Sequence, residues 1–145
     1  MFSLETFELE VDTTGGTDIL DLTPAVSAEV RQSGMSAGLL NLFISGSTAA
    51  LSTIEYESGV VNDLRSAIER LFPREQMYEH DARWGDGNGY SHVRAAFLKP
   101  SLNIPIEDGR LLLGTWQQIV LLDFDNRPRQ RRIRGQIMGI RPANG

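Results

Sequence analysis

From Phe7 to Asp12 the chain alternates strictly: Phe7, Leu9 and Val11 fall between Glu8, Glu10 and Asp12, the period of a strand with one wet face. The polar, glycine-bearing TTGGT after it predicts a turn. Thr23 and Pro24 make a helix entry and Gly34 a helix exit around AVSAEVRQS, since proline suits the first helical turn and glycine the residue past the last. AGLLNLFISG and STAALSTIEY read as two extended, largely buried segments. In SGVVNDLRSAIERLFP, Val60, Val61, Leu64, Ile68, Leu71 and Phe72 share one helical stripe, with Ser58 as the expected cap and Pro73 as the stop. Asp63, on the same helix, is expected to face solvent.

Further along, Val93, Ala96 and Phe97 recur at i, i+3, i+4 between Ser91 and Pro100, predicting a helix of about two turns with His92 in its first turn. SLNIPIEDGRLLLG predicts a hairpin around Glu107, Asp108 and Gly109, with Pro105 at an edge or irregular position because it has no N–H to give a ladder. TWQQIVLLDFD, the turn NRP and RQRRIRGQIMGI predict a second hairpin of longer strands. The expected class is α+β, a mainly antiparallel sheet or sandwich with a few packed helices. No repeat or linker divides the sequence, so residues 1–145 are expected to form a single domain.

Composition narrows the chemistry. A chain of 145 residues that is 41% apolar has enough core to fold without disulfide or structural metal, and no apolar run approaches a membrane span. The opening MFSLETFELEVD lacks the basic and apolar regions of a signal peptide, so the default expectation is cytoplasmic, without membrane partners. The absence of cysteine removes thiol catalysis and Cys-ligated zinc, leaving His and carboxylates as metal ligands. A net charge of −5 argues against nucleic acid as a partner, although RPRQRRIRG sets five arginines between Arg127 and Arg134. That strand is expected to be a solvated face opposite Asp123 and Asp125; phosphate or RNA binding is the competing reading.

The stretch with most chemistry is WGDGNGYSH, Trp84 to His92, just after His80, and His80 and His92 are the only histidines. On spacing alone three readings stay open. The segment is a turn built from ordinary turn residues; or its glycines and the following helix start hold an anion, with Ser91 as a cap or contact; or His80 and His92, with Asp86 or Glu55, bind a cation such as zinc. Trp116 and Gln117 either line a pocket or belong to core.

The pieces DGNGYSHVRAAFL, PSLNIPIEDGRLLLGTWQQIVLLDFD and RRIRGQIMG, within Ala37 to Gly139, resemble the YjbQ-like proteins, a family linked to secondary thiamine-phosphate synthase activity. The resemblance implies a small α+β protein assembling as a homotrimer, with polar residues gathered at subunit boundaries. It implies an enzyme, a transferase joining an aminopyrimidine diphosphate to a thiazole phosphate with release of pyrophosphate, aided by a divalent cation, magnesium or zinc. Matched by motif, the catalytic candidates are His80, His92 and Glu55. Asp86, Asn88, Ser91, Thr115, Trp116 and Gln117 are the candidates for binding a small phosphorylated metabolite, and His80, His92 and Asp86 those for a metal. Two departures stand out: Gly46 precedes Ser47 and Thr48 where many relatives open a His-Thr-Thr/Ser segment, and Tyr90 stands where near relatives can carry another His. The alternative is a non-catalytic oligomeric module binding a metal or anionic metabolite at subunit interfaces.

Overall fold

The structure, a computed structural model, describes residues 1–143. Its elements in chain order are β1 (Ser3–Thr13), β2 (Asp18–Asp21), α1 (Thr23–Ser33), β3 (Ala37–Ile44), β4 (Ala49–Glu55), α2 (Ser58–Leu71), α3 (Glu79–Trp84), α4 (Gly89–Leu98), β5 (Ser101–Glu107), β6 (Arg110–Leu111), β7 (Gln117–Asp123) and β8 (Arg129–Ile140). All pairings are antiparallel, in a large sheet β1-β8-β3-β5-β6 and a small sheet β2-β7-β4. The fold is thus the expected α+β sandwich.

Two cores make three layers. Between the sheets, Leu40, Leu42 and Ile44 of β3, Ile133 and Ile137 of β8, and Leu51 and Leu121 of the small sheet pack together, with Val26 and Val30 of α1 closing one side. On the far face of the small sheet, Ala50, Val120 and Leu122 pack against Ile68 of α2 and Ala95 of α4. β7 is buried on both faces, which is why IVLLD reads as an unbroken apolar run rather than an alternation.

Several local expectations change. β7 and β8 do not form a hairpin: each lies in a different sheet, and Phe124 to Pro128 carries the chain across. Beside β8 in the large sheet, whose outer face is open, β7 would have kept one wet face, whereas in the small sheet it lies between the large sheet and the helices. The cap of α2 is Glu57, not Ser58: its carboxylate accepts from the backbone N–H of Gly59 at 2.9 Å and of Val60 at 2.6 Å. Leu71, assigned to the apolar stripe, is exposed, while Asp63 faces solvent as expected. α4 forms, but its buried face is Tyr90, Ser91, Arg94 and Ala95, and Ala96 and Phe97 are exposed. Small residues let that face approach β4 closely, and Arg94 is accommodated by bonds to Phe72 O, Thr17 Oγ1 and Glu69 Oε2. The hairpin at Asp108 and Gly109 forms with both residues at positive φ, +49° and +74°, as a tight two-residue turn demands.

Three segments switch sheets at one end of the sandwich: Thr14 to Thr17, Ser45 to Thr48 and Phe124 to Pro128. The first lies against the third, where Gly16 N–H donates to Asp125 O at 2.7 Å and a Cβ on Gly15 would meet the Arg127 carbonyl carbon at 2.8 Å. The second is tied to the third by Phe124 N–H donating to Thr48 O at 3.0 Å. The site is built at this junction.

Candidate functional site

A cleft of about 490 Å³ opens at the crossing end. One wall is the Gly46-Ser47-Thr48 crossing with Arg129 and Arg131 of β8; the other carries His80 and Trp84 of α3, Asp86 and Asn88 of the loop, and His92 of α4. The structure therefore brings together His80, Asp86, Asn88 and His92, which sequence reading had as candidates. The α3 helix was not predicted: six residues are too short to show a period, yet it aims His80 at the cleft.

The floor is a buried ionic network. Arg131 donates through Nε and Nη2 to the two oxygens of Asp123 at 2.6 and 2.9 Å, and through Nη2 to Thr48 Oγ1 at 2.7 Å. Thr13 Oγ1 donates to Asp123 Oδ2 at 2.7 Å, and Arg129 Nε to Asp125 Oδ2 at 2.9 Å. Burial alone would raise the Asp125 carboxyl. The N–H of Asn126, the Asn88 amide, Arg129 and the Thr48 hydroxyl outweigh it and hold the group at about 2, below its ordinary 3.8. The solvated-face expectation thus fails for two of the five arginines: Arg129 and Arg131 point inward, while Arg127 is exposed and Arg132 and Arg134 lie outside beside Glu8 and Glu10. Among the described residues, Nη1 of Arg129 and of Arg131 makes no hydrogen bond, leaving N–H donors beside the cleft.

Asn88 is 7% exposed. Its Nδ2 donates to Asp125 Oδ1 at 3.2 Å, and an ionised carboxylate accepts only, which fixes the amide with Oδ1 on its other side. That Oδ1 is buried and accepts no hydrogen bond among the described residues, and the buried Nδ1 of His80 makes none among them either. Nδ1 lies 3.3 Å from Asp86 Oδ1 and 3.5 Å from Asp81 Oδ1. The His80 and His92 rings stand 4.4 Å apart, centre to centre. Burial, and then the neighbouring His80, lower the His92 pKa from its ordinary 6.5, so neutral imidazole dominates at pH 7.

For a divalent cation, the atoms within reach of one another belong to His80, Asp81 and Asp86, all within 4.8 Å. Asp81 was not an expected ligand, and His92, which was, lies outside this set with its ring beside that of His80. One imidazole nitrogen and two carboxylates suit zinc, and the orphaned His80 Nδ1 fits a ligand role. Sequence reading passed over Asp81, although it directly follows His80.

Other candidates fall elsewhere. Ser91 is fully buried, and its hydroxyl donates to Asn88 O at 2.6 Å, so it shapes the helix start rather than lining the cleft. Gly89 N–H at that helix start donates to Asp81 Oδ1 at 2.8 Å, so a side-chain carboxylate occupies the position proposed for an external anion. Tyr90 is buried, with the guanidinium groups of Arg74 and Arg94 over its ring. Glu55, Thr115, Trp116 and Gln117 sit at the opposite end of the small sheet, where Glu55 pairs with Gln117 and Gln117 Nε2 donates to Thr53 Oγ1 at 3.0 Å. β4 runs from Ala49 beside the cleft to Glu55, about 20 Å at strand rise, so these four do not join the cleft within one chain. Trp116 precedes β7 and is 71% exposed, neither core nor cleft wall. Gly46, at φ +118°, would with a Cβ meet Arg131 Nη1 at 3.3 Å, so the missing side chain leaves room for that guanidinium.

Comparison with known proteins agrees with this architecture. The chain is 38% identical over 134 residues to a UPF0047 protein of Methanothermobacter thermautotrophicus, covering 92% of each. It is 39% identical over 131 residues to UPF0047 protein Rv2556c of Mycobacterium tuberculosis, covering 90% of this chain and 96% of that one. A YbjQ-like protein of unknown function from Sulfolobus solfataricus superposes with a TM-score of 0.86 at 27% identity, over 95% of this chain and all of the other. The sequence model described as UPF0047 protein YjbQ-like matches residues 7–140, and the chain belongs to that family.

Proposed function

We propose that the cleft is the active site of a small-molecule transferase resembling secondary thiamine-phosphate synthase. In that reaction a ring nitrogen of a thiazole phosphate attacks the methylene carbon of an aminopyrimidine diphosphate, and the C–O bond to the diphosphate breaks to release pyrophosphate. The observation that carries the reading is the meeting, in one cleft, of unpaired Arg129 and Arg131 N–H donors with the His80, Asp86 and His92 cluster. The arginines suit phosphate oxygens, and His92, held neutral, can accept a proton or orient a nucleophile. Asn88 Oδ1, an acceptor by constraint, suits an N–H or O–H group. His80, Asp81 and Asp86 would hold a divalent cation, which supplies neutralisation of the leaving diphosphate.

The working form in this proposal is a homotrimer in which Trp116, Gln117 and Glu55 of one copy meet the cleft of the next. Their distance from the cleft within one chain and the exposure of Trp116 support it. The test is pyrophosphate release from the two phosphorylated substrates with magnesium or zinc. Turnover that falls in His92→Asn and Asp86→Asn supports the enzyme; stoichiometric binding of the phosphates without turnover supports the non-catalytic binding module instead.

A further inference from the structure

The cleft has a neighbour beyond His92. A second cavity of about 170 Å³ shares Gly46, Ser47 and His92 with it and is otherwise lined by Ala49, Ala95, Ala96 and Pro100. The two adjoin at those three residues, the first lined by polar and ionic groups and the second otherwise by hydrocarbon. None of those last four side chains carries a polar atom, so a charged group moved there would lose its water for nothing. An apolar cavity of about 150 Å³ is enough for one benzene molecule. From this geometry we infer that the annex is a subsite for one small apolar ring or short hydrocarbon chain of a ligand whose phosphate end occupies the main cleft, so that His92 lies at the join between the two parts. The inference rests on the phosphate reading of the cleft for the polar end, and on the annex alone for the apolar end.

Ala96 selects the size of that ring. It lies on α4, is exposed and belongs to neither core cluster, whereas Ala95 beside it is buried against the small sheet. A leucine at 96 fills the annex without disturbing packing and suits a helix. The experiment measures dissociation constants of methyl phosphate and phenyl phosphate by calorimetry, and backbone amide shifts with benzyl alcohol as a neutral probe, on wild type and Ala96→Leu. Phenyl phosphate is expected to bind wild type at least tenfold more tightly than methyl phosphate. Ala96→Leu is expected to abolish that preference while keeping methyl phosphate affinity within about twofold of wild type. Equal binding of the two phosphates to wild type, or an undiminished preference in Ala96→Leu, overturns the subsite. If neither phosphate binds, the phosphate reading of the cleft fails by itself. Benzyl alcohol then decides the annex: shifts at Ala95 and Ala96 that vanish in Ala96→Leu support it, and no shifts overturn it.

Discussion

Asp86 and Asn88 stand two residues apart in the same loop, yet their substitution has different consequences. Asp86 is exposed, and its carboxylate serves only the His80 side of the cleft, so Asp86→Asn is expected to leave the melting temperature unchanged while turnover falls at least tenfold, about 1.4 kcal/mol. Asn88→Ala removes a buried donor from Asp125, so it loses both turnover and about 1 to 3 kcal/mol of stability. Pyrophosphate release and thermal melting on the two variants separate these effects, and normal turnover in Asp86→Asn, Asn88→Ala and His92→Asn alike would return WGDGNGYSH to the status of a turn. Asp125 itself sets an acid limit. Its carboxyl titrates at about 2 in the folded protein against 3.8 ordinarily, so its stabilisation is complete above pH 4 and is lost as pH falls toward 2. The loss amounts to about 2 kcal/mol. Urea midpoints between pH 6 and 2 should show this component in wild type and not in Asp125→Asn, which is less stable throughout.

At the scale of the element, β8 shows both how much the sequence disclosed and what it hid. Ile133, Gly135, Ile137 and Gly139 are the buried phase of the strand, and Arg129 and Arg131 share their odd-numbered phase. Followed back along the strand, the alternation puts these two arginines inside, a signal present in the sequence but masked by the count of five arginines. Arg131→Gln would leave Asp123 buried without its cation and cost about 3 to 5 kcal/mol, whereas Arg132→Gln, on the wet face, should change stability by less than about 1 kcal/mol. Chemical denaturation of the two single variants measures the contrast, and equal effects would show that the strand faces one medium. Elements with their own period or punctuation, such as β1, α1 with its Gly34 exit and the Asp108-Gly109 hairpin, were legible because local chemistry decides them. The separation of β7 from β8 into two sheets was not, since which sheet a strand joins depends on contacts far along the chain. The cleft histidines, Asp86 and Asn88 were found by their chemistry, and Asp123 and Asp125 were placed opposite the arginine strand but on a wet face; their burial, and the roles of Asp81 and Thr48, arise only where three crossings meet.

The candidate residues lie at two ends of the molecule. One chain covers the apolar run from Leu39 to Leu51 for the most part by itself, since Leu40, Leu42, Ile44 and Ala49 to Leu51 are buried, so that run does not by itself require a partner. Among the large apolar side chains left exposed are Phe43 within that run, Leu4, Met138 and Ile140 on the outer face of the large sheet, and Leu112 and Trp116 at the end away from the cleft. A closed threefold ring joins two different patches at every contact, so it can bring the far end of one copy to the cleft of the next. Light scattering is expected to give three chains of 16.1 kDa each, and a stable monomer at micromolar concentration would overturn the assembly. If the site is shared, Asp86→Asn damages the cleft half and Trp116→Ala the far half of each contact. Either variant alone is then inactive at every site. In trimers re-formed from an equal mixture, about a quarter of the contacts join an intact cleft to an intact far end, so about a quarter of wild-type turnover should return. Recovery of that size requires residues of two chains at one site, because neither parent chain carries both. A mixture no more active than its parents, with exchange of subunits verified by mass, would confine the chemistry to the cleft of a single chain.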